Sequence, residues 1–188
     1  MKKQFLIPIS LFLGFVSSYS QGLYNLATLD EELDAAPLKW SAGINFGYDD
    51  DVTDSHGIGL DAEVAYITAI SDNIGVGAVV GVSHYFGKSE TFGDLTIDFE
   101  DFTFAPLGVT ARAKLGKSFF IGTNVGYALA IGPKDLDGGF YYEPKAGYRI
   151  SSSKPTYIVA SYSGIDINGS AFSSINLGIE FGCLNSKK

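Results

Sequence analysis

The chain has 188 residues, of which 46% are hydrophobic and only 18% charged, with 23 glycines, 14 Phe and 11 Tyr. That length suits one domain, and a net charge of -8 argues against nucleic acid, whose binders need clustered Lys and Arg. The charged share falls below the roughly 25% of soluble domains, and the single cysteine, Cys183, excludes an intramolecular disulfide.

Residues 1–20 read as a secretory signal. Lys2 and Lys3 form the positive start, Phe5 to Val16 the apolar stretch, and Ser18-Tyr19-Ser20 the small-residue cleavage site before Gln21. The apolar stretch is too short to span a bilayer, which takes about 20 such residues. Residues 21–38 form a periplasmic leader, with Leu23, Leu26, Leu29 and Leu33 at near-helical spacing until Pro37 ends the run.

From Lys39 the period changes to two, and the barrel region runs over 39–183. Trp40, Ala42, Ile44, Phe46 and Tyr48 alternate with Ser41, Gly43, Asn45 and Gly47. The second run sets Ile58, Leu60, Ala62, Val64 and Tyr66 against Gly59, Asp61, Glu63 and Ala65. The third opposes Ile74 to Val82 and Gly75 to Ser83, and the fourth opposes Ala105 to Leu115 and Gly108 to Lys114. The fifth opposes Phe119, Ile121, Val125 and Leu129 to Gly122, Asn124 and Gly126. The sixth opposes Phe140, Tyr142, Ala146 and Tyr148 to Tyr141, Glu143, Lys145, Gly147 and Arg149. The seventh, near Thr156 to Ser163, is ambiguous in phase. The eighth opposes Ile175, Leu177, Ile179 and Phe181 to Ser174, Asn176, Gly178 and Glu180. These are eight strands of about the length that crosses a bilayer at a tilt.

The connections alternate as well. Ser71-Asp72-Asn73, Gly116-Lys117-Ser118 and Ser151 to Pro155 are short turns, whereas 49–57, 85–104, 132–139 and 164–171 read as longer links. Outer-membrane barrels keep short turns on the periplasmic side and long loops outside. The face of small residues, Gly, Ser, Asn, Thr and Ala, suits a narrow lumen, and the face of Val, Ile, Leu and aromatics suits lipid. A soluble barrel would instead place long charged side chains on its polar face. Aromatics near strand ends read as girdles: Trp40, Tyr66, Phe119, Tyr148, Tyr157 and Phe181 on the turn side, and Tyr48, Phe86, Tyr142, Tyr162 and Phe172 on the loop side.

In this alternation of strands, turns and links, residues 39–183 resemble the small bacterial outer-membrane barrels of the OmpA/OmpX type, in the porin-like form common in Bacteroidetes. The last strand, with Asn176, Gly178, Phe181 and Cys183, resembles the signal read by the barrel-assembly machinery, although a polar tail, 184–188, follows it. The resemblance implies an all-β fold, an eight-stranded antiparallel up-and-down transmembrane barrel, and residence in the outer membrane with periplasmic termini. It implies no particular activity, because function varies widely on this fold.

Three constellations could carry function. On the inward phase, Asp61, Glu63, Glu143 and Glu180 meet Arg112, Lys114, Lys145 and Arg149, which predicts a lumenal charge network, since a buried charge is costly unless paired. The links are acidic: Asp49, Asp50, Asp51 and Asp54, then Glu90, Asp94, Asp135, Asp137 and Asp166, and could bridge to anionic lipopolysaccharide through divalent cations. The link at 85–104 is predicted to form a hairpin above the barrel, with an exposed edge for a protein partner. Catalysis finds no support, because His56 lies in a loop and Ser83 and His84 point to opposite faces. Nor is there a zinc-type ligand set or a cofactor motif. The reading is a non-enzymatic outer-membrane barrel with a structural, surface-interaction or envelope-integrity role. The alternatives are a narrow channel for ions or small solutes and a soluble periplasmic lipid-binding barrel.

Overall fold

The computed structural model describes residues 37–48, 56–92, 95–132, 137–151 and 155–182. The expected signal and most of the expected leader, Asp49 to Asp51, Asp54, Asp94, Asp135 and Cys183 with 184–188 lie outside them. Ten strands follow in chain order: β1 Leu38–Gly47, β2 Ile58–Ala69, β3 Ile74–Phe86, β4 Ser89–Phe92, β5 Leu95–Asp98, β6 Phe102–Leu115, β7 Phe119–Gly132, β8 Gly139–Arg149, β9 Thr156–Ile167 and β10 Ser170–Gly182. Eight of them close a barrel in the order β1-β10-β9-β8-β7-β6-β3-β2, while β4 and β5 pair only with each other. Every ladder is antiparallel. Closure joins β1 to β10, with Trp40 opposite Phe181 and Ile44 opposite Leu177.

The period-two pattern becomes an inside and an outside. Trp40, Ile44, Leu60, Val80, Val109, Ile121, Ile158 and Leu177 are all exposed on the outer wall, whereas Asn45, Arg112, Asn124, Glu143, Lys145 and Glu180 are buried. A barrel made for water would have the reverse arrangement, with its apolar side chains packed inside. The outward band answers to hydrocarbon, and closure leaves no strand edge unpaired in the wall, as a bilayer demands. Pairing lapses opposite Pro106 in β3–β6 and opposite Pro144 in β8–β9, because proline has no N–H to donate.

Glycines on the inner face stand where a large side chain needs space. The Phe120 ring occupies the position that a Gly147 side chain would take, and a Cβ at Gly59 would lie 2.9 Å from the Tyr85 ring. Charged residues follow the same rule, since Gly122 lies between Arg112 and Lys145 in register.

Two expectations need correction. The link at 164–171 is no long loop: β9 and β10 run on into it and meet at Asn168-Gly169, whose φ values of 53° and 88° are those of a tight hairpin turn. Two of the expected girdle aromatics face inward. Tyr157 shares the inward phase of Val159, Ser161 and Ser163, packs edge-on to Phe120, and is 4% exposed. Phe172 shares the phase of Ser174 and Asn176, and packs on Tyr85 and Phe104. The expected hairpin at 85–104 is present as β4–β5, with 96–100 exposed.

Candidate functional site

The lumen is organised along its length. At the loop end lies an apolar cap, with Tyr85, Phe104, Ala128, Tyr141 and Ile165 buried and Phe102, Ala130, Ile167 and Phe172 packed against them. Toward the turn end lie two smaller clusters, Ala65 with Ile67 and Val79, and Phe120 with Tyr157 and Val159. Between cap and base lie the charges.

Arg112 donates from both terminal nitrogens to Glu180, at 2.5 and 2.7 Å, in the two-pronged geometry that guanidinium and carboxylate share. Its guanidinium carbon lies 4.0 Å from the centre of the Phe120 ring, which favours the cation further. Lys145 donates to Glu63 at 2.9 and 3.1 Å and lies 3.0 Å from Glu143. Around the ring of strands, β6 and β10 are diametrically opposed, and so are β8 and β2. Arg112–Glu180 and Lys145–Glu63 therefore form two struts across the full diameter of the barrel.

Neutral groups complete the network. Glu143 accepts from Asn124, Tyr141 and Ser161, each at 2.7 Å, and the Asn124 amide also donates to Glu63 at 2.7 Å. Asn176 donates to Ser161 at 3.2 Å and accepts from Ser174, which contacts Ser163 and the Tyr85 hydroxyl at 2.7 and 2.9 Å. The chain of bonds thus runs from the struts up into the cap.

Six of the eight expected lumen charges come together here: Glu63, Arg112, Glu143, Lys145 and Glu180 in the network, with Asp61 beside it. Asp61 helps line a small cavity with Glu143, Lys145, Asn176 and Glu180, with room for about one water. Lys114 and Arg149 stand apart near the turn end, where Arg149 donates to the Ser151 carbonyl at 2.8 Å. Asn124, Tyr141 and Ser161 were not among the expected partners; the inward phase of Asn124 and Tyr141 was the available signal, whereas Ser161 stands on the strand whose phase the sequence leaves open. Of the last-strand residues, Asn176 bonds inside the lumen, Gly178 lies against the β1 backbone, and Phe181 is exposed on the wall.

The two histidines sit at the loop-end rim. His56 is fully buried, stacked 3.8 Å from Phe102, with Nε2 2.6 Å from the Glu100 carbonyl. His84 lies 2.9 Å from the Thr103 hydroxyl through Nδ1 and 3.4 Å from Asp101 through Nε2, while Asp101 also accepts from the Gly87 N–H at 2.9 Å. These contacts clamp the root of the β4–β5 hairpin to the barrel lip.

No protein-family model matches the sequence, and the search of curated proteins gave no match either. Among solved structures, the chain is similar to the Yersinia pestis outer membrane protein Ail in a phospholipid bilayer nanodisc, with a TM-score of 0.51 and 13% identity over 78% of this chain and 98% of that one. A crystal structure of Ail, the attachment invasion locus protein of Yersinia pestis, aligns at TM-score 0.49 and 11% identity over 78% and 97%. A de novo designed transmembrane β-barrel aligns at 0.47 and 14% over 79% and 97%. At such identity the likeness to Ail in the nanodisc establishes the fold, that of a small eight-stranded transmembrane barrel.

Proposed function

We propose that the protein resides in a bacterial outer membrane as a closed, non-conducting and non-catalytic barrel, with its turns in the periplasm and its loop end outside. Its role is then structural, in envelope integrity, or in surface interaction. The observation that supports this reading is the pair of cross-lumen struts beneath the aromatic cap, because paired buried charges and an apolar plug both oppose a water-filled path.

Planar bilayers test it. The wild-type protein is expected to give no unitary current steps; steady steps abolished by Arg112→Glu would favour the narrow channel instead. Carbonate-resistant membrane association is expected, and its loss would favour a soluble lipid-binding barrel. We further propose that β10 is the strand read by the assembly machinery, and that the β4–β5 hairpin offers its edge to a surface protein. Deleting 88–98 without loss of surface binding would remove the second proposal.

A further inference from the structure

The tyrosines on the outer wall are unevenly placed. Among the described residues, Tyr48, Tyr127, Tyr142 and Tyr162 are the outward tyrosines of the loop-end half, and all belong to the sector formed by β7, β8, β9, β10 and β1. Across the barrel, the same level of β2, β3 and β6 carries Ile58, Leu60, Val82 and Leu107 with His84 and Phe86, aromatic rings without a phenol hydroxyl. Aromatic rings thus occur on both sides, but tyrosines that only marked the height of the headgroups would not be confined to one of them.

The rings of this sector form a continuous surface. Tyr48 meets Tyr162 edge-on at 5.8 Å, Tyr162 meets Tyr142 at 6.1 Å, and Tyr142 lies nearly parallel to Phe140 at 6.3 Å and 30°. Gly164 lets the Tyr142 ring lie flat against the wall. The Tyr142 ring occupies the space in which a side chain at 164 would stand, so the ring lies over β9 with its other face turned outward. Directly above, Asp166 is opposite Phe140 in register, and the Asp137 carboxylate accepts from Asn168 at 3.3 Å; all three polar residues are exposed.

Flat aromatic faces are electron-rich and receive the weakly positive C–H face of a sugar ring, while exposed carboxylates accept hydrogen bonds from its hydroxyls. The same carboxylates, on a chain of net charge -8, disfavour a bare phosphate. We propose that this sector is a docking surface for the neutral saccharide headgroup of an outer-leaflet glycolipid. The platform's place on the lipid-facing wall selects a membrane lipid over a soluble glycan. The inference rests on the membrane reading above, which is scored separately by insertion.

Native mass spectrometry of the full-length protein, released from mixed micelles, tests it with galactosyl diacylglycerol against phosphatidylcholine as probes. Wild type is expected to retain the glycolipid at least fivefold over phosphatidylcholine. Tyr142→Leu with Tyr162→Leu should abolish that preference, Asp166→Asn should reduce it, and Tyr66→Leu at the turn end should leave it unchanged. Heat-modifiable migration confirms that each variant is folded and inserted, so a failure to insert is told apart from a failure to bind. Equal retention of both lipids, or an unchanged preference in the folded double variant, overturns the proposal. So does equally tight binding of free methyl galactoside, or retention that requires added Mg²⁺.

Discussion

The strut level and the cap fill the same tube with opposite chemistries. At the struts, every charge has a partner fixed in direction: two nitrogens of Arg112 on two oxygens of Glu180, and one ammonium of Lys145 between Glu63 and Glu143. In the cap, Phe104, Phe172 and Ile165 meet through contacts that depend on volume and hardly on direction, while the hydroxyls of Tyr85 and Tyr141 reach down to the polar network. The first arrangement is specific and fails abruptly when one member is lost, because what remains is an unpaired buried charge. The second tolerates exchange if volume is kept. The lumen therefore has a brittle level that fixes which strands face each other and a forgiving level that excludes water.

Substitutions can break this contrast at graded strengths. Lys145→Met leaves two buried carboxylates facing each other and should cost the most, above the about 3–5 kcal/mol typical of breaking one buried pair, read as a shift in the urea midpoint of unfolding in vesicles. Arg112→Met should cost about 3–5 kcal/mol, and adding Glu180→Met should restore most of it; a double variant no better than the single one would show that the strut does not act as a pair. In the cap, Phe104→Leu at a fully buried position keeps most of the apolar volume and leaves only a small void, and should cost about 1–2 kcal/mol. A loss as large as that of Arg112→Met would erase the distinction between the levels. Far from both, Gly169→Ala at φ 88° should cost about 1 kcal/mol with an unchanged unfolding slope, since it strains one turn only.

Much of this architecture was legible in the chain, for a physical reason. A wall one residue thick, with lipid on one side and a narrow lumen on the other, forces a split by polarity and by size at every second position, as in Ile44 against Asn45 and Leu177 against Asn176. The split fails where both phases are apolar: Ile158 and Val159 leave the phase of β9 open, and the Tyr157–Phe120 packing and the Ser161–Glu143 hydrogen bond settle it. The turn at Asn168-Gly169 was readable, since that dipeptide suits two positive φ angles, but the acidic and small residues around it looked like a loop. Which acid meets which base was not readable. Arg112 and Glu180 are 68 positions apart, and their meeting depends on the strand count and on closure of the ring.

That dependence has a consequence for how the chain reaches its final form. Glu180 is on the strand that seals the ring against β1, and Arg112 is on the strand facing it. In an open sheet Glu180 does not lie across from Arg112, because the two strands face each other only in the closed ring. Closing the ring and forming the strut are therefore one event. Afterwards, prising the seam open would require separating an ion pair away from water, which makes the finished barrel slow to reopen.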